Sequence, residues 1–78
     1  MESTLDKMQI NQKCEVKQIL DNSPMHRRFL DIGLTNGTNV ECVLVSFNNQ
    51  IKAYKIKGAI IGIRKEDAQF VKVKMWKR

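Results

Sequence analysis

One segment of the chain, residues 23–38, carries the markers of both ends of a short helix. Ser23 is a good N-cap, and the proline after it suits the first helical position, where an N–H has no intrahelical partner. At the other end, Gly33 can adopt the left-handed conformation of a C′ residue, which places Phe29 and Leu34 at the two contact positions of a Schellman ending. The markers predict a helix of about ten residues that ends at Gly33.

This helix is predicted to bury one face and to expose the other. At about 100° per residue, the apolar side chains form one narrow stripe and the charged side chains gather on the far side. The stripe is Met25, Phe29 and Ile32, and the charged face is Arg27, Arg28 and Asp31. An exposed ion pair on a helix contributes only ~0.3 kcal/mol, so stability does not explain two adjacent arginines.

Length and composition bound the class of protein. A chain of 78 residues is expected to form a single domain, residues 1–78, with one small core. Its uncharged apolar runs are far shorter than the ~18 residues of a membrane span. The amino terminus has neither the basic nor the apolar region of a secretory signal, so we expect a cytoplasmic protein.

The cysteines do not form a metal-binding pattern. Cys14 and Cys42 lie far apart in sequence, without a C-x-x-C pair, and the chain has one histidine. The usual four ligands of structural zinc are therefore lacking, and we expect no metal site and no cofactor. Two semi-buried thiols that act as small apolar side chains on strands are the favoured interpretation, and a disulfide or a transient metal contact is the alternative.

The rest of the chain is predicted to be mainly β. Short runs of β-branched and aromatic residues are separated by turn residues, and a bulge is expected near Gln18. The predicted strands are Lys13–Leu20, Asn39–Phe47, Gln50–Lys57, Ile60–Ile63 and Phe70–Met75, with an Asn48-Asn49 hairpin link and a helical turn at Arg64–Ala68. Five such strands bury their apolar faces best by closing into a small barrel, with the helix between the first two strands.

The predicted core follows from this alternation. Its members are Val16, Ile19, Met25, Phe29, Ile32, Val40, Leu44, Ile56, Ile63, Val71 and Val73. Tyr54 is expected to face inward, and the lysines that alternate with Val71 and Val73 are expected to face solvent. Residues 1 to about 8 and Trp76 to Arg78 are predicted to be loosely held.

Three sequence elements together resemble the FeoA family of ferrous iron transport proteins. They are the helix segment Arg27–Leu34, the turn Asn36-Gly37-Thr38 before Val40, and the segment Ile63–Ala68 before Val71-Lys72-Val73. The resemblance implies an SH3-like barrel, no enzymatic activity, and a cytosolic accessory role on FeoB, the membrane ferrous iron transporter that carries a GTPase domain. It also implies that the protein belongs to a transport system for transition metal ions.

We therefore expect the protein to act by binding a partner through its surface and not by catalysis. No catalytic set of side chains and no phosphate-binding loop occurs in the sequence. The leading hypothesis is a protein-interaction module in which Arg27, Arg28, Asp31 and Leu34 contact an acidic surface of FeoB. The alternative is nucleic-acid binding, since the formal charge is +6, but few aromatic residues alternate with the lysines.

Overall fold

Six strands and two short helices make up the computed structural model, which describes residues 2–76. In chain order the elements are β1 (Glu2–Thr4), β2 (Lys13–Ile19), α1 (His26–Asp31), β3 (Asn39–Val45), β4 (Ile51–Ile56), β5 (Ala59–Arg64), α2 (Lys65–Ala68) and β6 (Val71–Met75). All neighbouring strands are antiparallel, and the sheet order is β1-β6-β2-β3-β4-β5. No helix among residues 2–76 is long and apolar enough to span a membrane.

The core lies on one face of this sheet. Alternate residues of the strands meet side chains from α1, from α2 and from a 3-10 turn at Leu5–Lys7. The buried apolar residues are Leu5, Met8, Cys14, Val16, Ile19, Phe29, Leu34, Val40, Cys42, Tyr54, Ile56, Ile63, Ala68, Val71 and Val73. Met25 and Ile32 are half-buried against this cluster, so the apolar stripe of the helix packs as predicted.

Several local predictions are confirmed. The register of β2 against β6 shifts between Val16 and Gln18, where the bulge was expected. The strand β3 lies inside the sheet, because it pairs with β2 on one side and β4 on the other. Tyr54 is fully buried, and the single helical turn before the last strand is present as α2.

The predicted strand count and the closed barrel are wrong. An additional strand, β1, pairs with β6 in the register Glu2↔Lys74, Ser3↔Val73 and Thr4↔Lys72. The helix consequently lies between the second and third strands rather than the first two. The hydrogen-bonded sheet is open, with β1 and β5 as its edges. Side chains from α1, α2 and the 3-10 turn belong to the buried core.

The prediction that residues 1 to about 8 are loosely held is wrong for the described part, residues 2–8. Leu5 and Met8 are completely buried. The Tyr54 hydroxyl donates to the Leu5 carbonyl (Oη–O 3.0 Å), and the Lys52 ammonium donates to the carbonyls of Asp6 (Nζ–O 2.7 Å) and Met8. At the other end, the Trp76 N–H donates to the Lys13 carbonyl (3.1 Å), whereas Lys77 and Arg78 lie outside the described residues.

These contacts make Lys52 a structural lysine, with only 7% of its surface exposed. We expect Lys52→Met to lower the free energy of unfolding by about 1–3 kcal/mol, because the aliphatic stem is kept while two carbonyls lose their donor. Lys55→Met on the same strand is the matched control, since Lys55 is exposed and its loss should change stability by at most about 0.5 kcal/mol. Urea denaturation measures both, and equal effects would contradict the role of Lys52.

Leu44 is the one predicted core residue that points to solvent, with 61% of its surface exposed. The register of β3 against β4 shifts between Cys42 and Leu44, which indicates a bulge at Val43. One extra residue reverses the side to which the following residues point, so Cys42 faces the core and Leu44 faces outward. The prediction for Leu44 is therefore wrong because strict alternation was assumed across the bulge.

The hairpin between β3 and β4 is longer than the predicted Asn48-Asn49 link. The strands end at Val45 and restart at Ile51, so residues 46–50 form the loop. Asn49 does adopt the positive φ expected of it (62°). The loop holds Phe47 fully exposed, instead of including it in the strand.

Candidate functional site

The amino-terminal end of α1 differs from the prediction. The helix has six residues and begins at His26, after Met25, whose backbone angles (φ −108°, ψ 17°) are not helical. Ser23 closes the preceding turn instead, where its hydroxyl accepts from the Met25 N–H (Oγ–N 3.1 Å) and its carbonyl accepts from the His26 N–H (3.3 Å). Ser23 therefore accepts a hydrogen bond from a backbone N–H, as expected of an N-cap. It does so in the turn before the helix and not at the helix terminus.

The carboxyl-terminal end of α1 confirms the Schellman ending. The Leu34 N–H donates to the Phe29 carbonyl (3.0 Å), and the Gly33 N–H donates to the Leu30 carbonyl (3.1 Å). Gly33 has φ +102°, a conformation that residues with a β-carbon rarely adopt. Phe29 and Leu34 are both buried in the core, so this ending fixes α1 and the turn after it against the sheet.

The charged face of α1 is presented to solvent. Arg27, Arg28 and Asp31 are all exposed, and none of them forms an ion pair with another residue of the described range 2–76. The two guanidinium groups are therefore available to an external carboxylate. Leu34, which was predicted to contact the partner together with them, is only 1% exposed, so its side chain supports the turn from inside.

A groove of about 530 Å³ runs between α1 and β5. The sequence pattern does not reveal this groove, because its two walls are far apart along the chain. The residues that line it are Met25, Arg28, Phe29 and Ile32 from α1 and its flanks, Ile61, Gly62, Ile63 and Arg64 from β5, and Asp67 from α2.

The chemistry of this groove suits a peptide or a protein surface. Its floor is apolar, and Arg28 and Arg64 line it from the helix and the strand. Because β5 is an edge of the described sheet, one side of its backbone pairs with no strand. Edge strands of this kind commonly accept an additional strand from a partner. The groove thus combines apolar contacts, guanidinium groups and free backbone hydrogen-bonding groups.

A second concavity, of about 260 Å³, lies near the end of β6. Lys13, Glu41, Lys55, Lys57 and Trp76 line it together with Asn39, Val40 and Gly58. The Lys13 ammonium lies 5.8 Å from the centre of the Trp76 ring, within the range of a cation–π contact. This is the position in the described structure where an aromatic ring and several lysines meet.

The two cysteines are free and fully buried, so they lie deeper than the semi-buried positions that were predicted. The Cys14 thiol contacts the Met8 sulfur (3.4 Å), and the Cys42 thiol points to the Leu44 carbonyl (3.8 Å). Burial raises the pKa of Cys14 from 9.0 to about 12, with a smaller effect from Cys42, and burial also raises the pKa of Cys42. Since the thiolate is the metal-binding form, these are poor ligands, and residues 2–76 contain no group of three His, Cys, Asp or Glu side chains placed to hold a metal.

The buried thiols predict that the protein becomes less stable at alkaline pH. The folded state keeps the proton on Cys14, whereas the unfolded chain releases it near pH 9, so raising the pH from about 9 to 12 favours unfolding. Because of this thiol, the free energy of unfolding is expected to fall by up to about 1.4 kcal/mol per pH unit in this range. Urea denaturation at several pH values should show a shallower decline for Cys14→Ala than for the parent. Parallel curves would contradict the prediction.

The comparisons with known proteins agree with the fold and with the resemblance seen in the sequence. The model of the FeoA domain family matches residues 3–75. No curated protein matches the sequence significantly. The FeoA-like protein of Clostridium acetobutylicum, solved by NMR, is 22% identical, with 99% of this chain and 90% of that chain covered and a TM-score of 0.91.

Two crystal structures are similar as well. An iron uptake regulatory protein (FeoA) is 22% identical, with 97% of this chain and 99% of that chain covered and a TM-score of 0.83. FeoA of Stenotrophomonas maltophilia was crystallised with zinc and is described as an SH3 domain protein. It is 19% identical, with 91% of this chain and 88% of that chain covered and a TM-score of 0.81. These similarities give the fold of our chain as SH3-like. Since the family match extends over residues 3–75, the chain belongs to the FeoA domain family.

Proposed function

We propose that this protein is a non-enzymatic, cytoplasmic accessory protein of ferrous iron transport that binds the cytosolic part of a FeoB-type transporter. Membership of the FeoA family supports the connection with iron transport, as do the names of similar structures such as iron(II) transport protein A of Clostridium thermocellum. The observation that carries the binding role is the α1–β5 groove, with two exposed arginines of α1 at or beside it.

The groove would recognise an acidic segment of the transporter. Arg28 and Arg64 can each bind a carboxylate through two parallel hydrogen bonds, and the apolar floor can receive the side chains between those carboxylates. Arg27 and Asp31 extend the same surface along the exposed side of α1. Leu34 contributes by fixing the turn that ends the helix, not by direct contact.

The test is direct binding between the purified protein and the purified cytosolic region of FeoB, measured by calorimetry. We expect saturable binding with a defined stoichiometry, weakened by salt because charged contacts contribute. A metal-free preparation should bind as well as one supplied with ferrous iron, since the described residues hold no evident ligand set. Absence of binding in both preparations would contradict the proposal.

Nucleic-acid binding remains the alternative, supported by the lysines and the aromatic ring around the second concavity. A fluorescence titration with a nonspecific single-stranded oligonucleotide distinguishes the two functions, because Trp76 is the only tryptophan in the chain. Binding to phosphates would become much weaker as salt increases. We expect no binding to the oligonucleotide at the protein concentrations that saturate FeoB.

A further inference from the structure

Large apolar side chains are exposed together at one end of the sheet, and none of them lines the α1–β5 groove. In β4, Lys52, Tyr54 and Ile56 point inward, so Ile51 points outward, and 45% of its surface is exposed. Leu44 of β3 is 61% exposed, and Ile60 of β5 is 64% exposed.

The strand registers place these side chains in neighbouring rows. One row across the three strands is Leu44, Ala53 and Gly62. The row on one side of it pairs Ile51 with Arg64, and the row on the other side pairs Ile60 with Lys55. We call this surface, comprising Leu44, Ile51, Ala53, Ile60 and Gly62, the outer apolar face.

The β3–β4 loop extends this face with an aromatic side chain. Phe47 is fully exposed, although its loop is well ordered by hydrogen bonds. The Ser46 N–H donates to the Ile51 carbonyl (2.8 Å), and the Ser46 hydroxyl accepts from the Ile51 N–H (3.1 Å). The Asn48 carboxamide oxygen accepts from the Gln50 N–H (3.2 Å). The loop therefore presents the Phe47 ring to the outside instead of folding it onto the protein.

The charges beside this face are mainly positive, although Glu41 lies opposite Lys55 in the register. The sequence contains no Asp or Glu between Glu41 and Glu66, whereas Lys55, Arg64 and Lys65 in that interval are exposed. Arg64 and Lys55 lie directly opposite Ile51 and Ile60 in the register. A second copy of the chain placed on this face would bring the same cations against each other. The face is instead complementary to an apolar layer that carries negative charge at its surface.

We propose that the outer apolar face binds the surface of an anionic lipid bilayer. Phe47 enters the boundary between headgroups and acyl chains, and Leu44, Ile51 and Ile60 follow it with their apolar surface. Lys55, Arg64 and Lys65 contact the lipid phosphates, with their aliphatic stems lying along the apolar face. Binding of this kind is peripheral and reversible. It uses the outward side of the sheet and borders the α1–β5 groove at Gly62 and Arg64, which also line that groove.

Vesicle sedimentation tests this proposal with the full chain. We expect binding to vesicles that contain phosphatidylglycerol, weaker binding as salt is added, and little binding to pure phosphatidylcholine. Phe47→Ser should reduce the partition coefficient about tenfold or more, because the ring would be transferred from water to lipid. Its melting temperature should stay unchanged, since the ring makes no buried contact, and so should its affinity for the cytosolic region of FeoB in the absence of lipid.

Two matched variants serve as controls. Leu30→Ser removes a partly exposed apolar side chain, with 43% of its surface exposed, from α1 outside the face and should leave vesicle binding unchanged. Lys55→Glu should weaken vesicle binding more than Lys72→Glu, an exposed lysine of β6 outside the face. The proposal is overturned if phosphatidylglycerol vesicles bind no protein, or if Phe47→Ser and Leu30→Ser have equal effects. It is also overturned if sedimentation velocity shows a dimer that Phe47→Ser dissociates, because the face would then bind a second copy.

Discussion

Replacing Phe29 by alanine is expected to lower the free energy of unfolding by about 3–5 kcal/mol, much of what a domain of this size possesses. The ring is 2% exposed and belongs to the same buried cluster as Leu34. Its removal leaves a cavity beneath α1, where the Schellman ending holds the backbone and limits collapse into the space. Urea denaturation followed by circular dichroism measures the loss.

The neighbouring residue provides the control for this prediction. Leu30 lies on the same helix with 43% of its surface exposed, so Leu30→Ala should cost at most about 0.5 kcal/mol. A Phe29→Ala variant that unfolds at nearly the same urea concentration as the parent would show that the helix is not anchored through this ring. The assignment of Phe29 as the central contact between helix and sheet would then be wrong.

Reversing the charges of Arg27 and Arg28 to glutamate is expected to weaken binding to the cytosolic region of FeoB at least about thirtyfold. The stability of the variant should change by no more than about 1 kcal/mol, because both side chains are exposed and form no ion pair within residues 2–76. The two effects should therefore separate in a paired experiment of thermal unfolding and calorimetry.

A charge-matched control distinguishes docking from general attraction. Lys72→Glu with Lys74→Glu changes the net charge equally on β6, where both lysines are exposed. Equal loss of FeoB binding in the two double variants would indicate diffuse electrostatics, with no special role for the helix. Unfolding of the Arg27 and Arg28 variant would instead show that the arginines are structural.

Features that depend on neighbouring residues could be predicted from the sequence. The Schellman ending requires glycine at one position and apolar residues around it, and Phe29, Gly33 and Leu34 meet those requirements within six residues. The bulge near Gln18 likewise appears as a break in alternation. Such local patterns are set by backbone geometry, so the sequence is sufficient to identify them.

Features that depend on distant partners could not be predicted. Nothing in the sequence distinguishes Lys52 from the other lysines, because its acceptors are carbonyls 44 and 46 residues away. The strand β1 is too short to recognise until its pairing with β6 is known. Leu44 was misassigned because the residues on both sides of Val43 are also apolar. No change in the sequence pattern therefore marks the bulge at Val43.

The candidate site was predictable only in part. The two arginines stand out in sequence because their exposure on a short helix adds little to folding. The groove beside them was not visible, since it forms where α1 meets β5, and these elements are separated by two other strands. Phe47 was assigned to a strand end, so its exposure in the loop also became evident only from the structure.

Amide hydrogen exchange of this protein with and without the cytosolic region of FeoB tests the central claim most directly. The account predicts that binding slows exchange in α1 and at the free edge of β5, where the groove would be covered. The amides of residues 46–50 should exchange at the same rate in both states, because no residue of that loop lines the groove. Slower exchange at the loop or along β6, with α1 and β5 unchanged, would contradict docking through the groove.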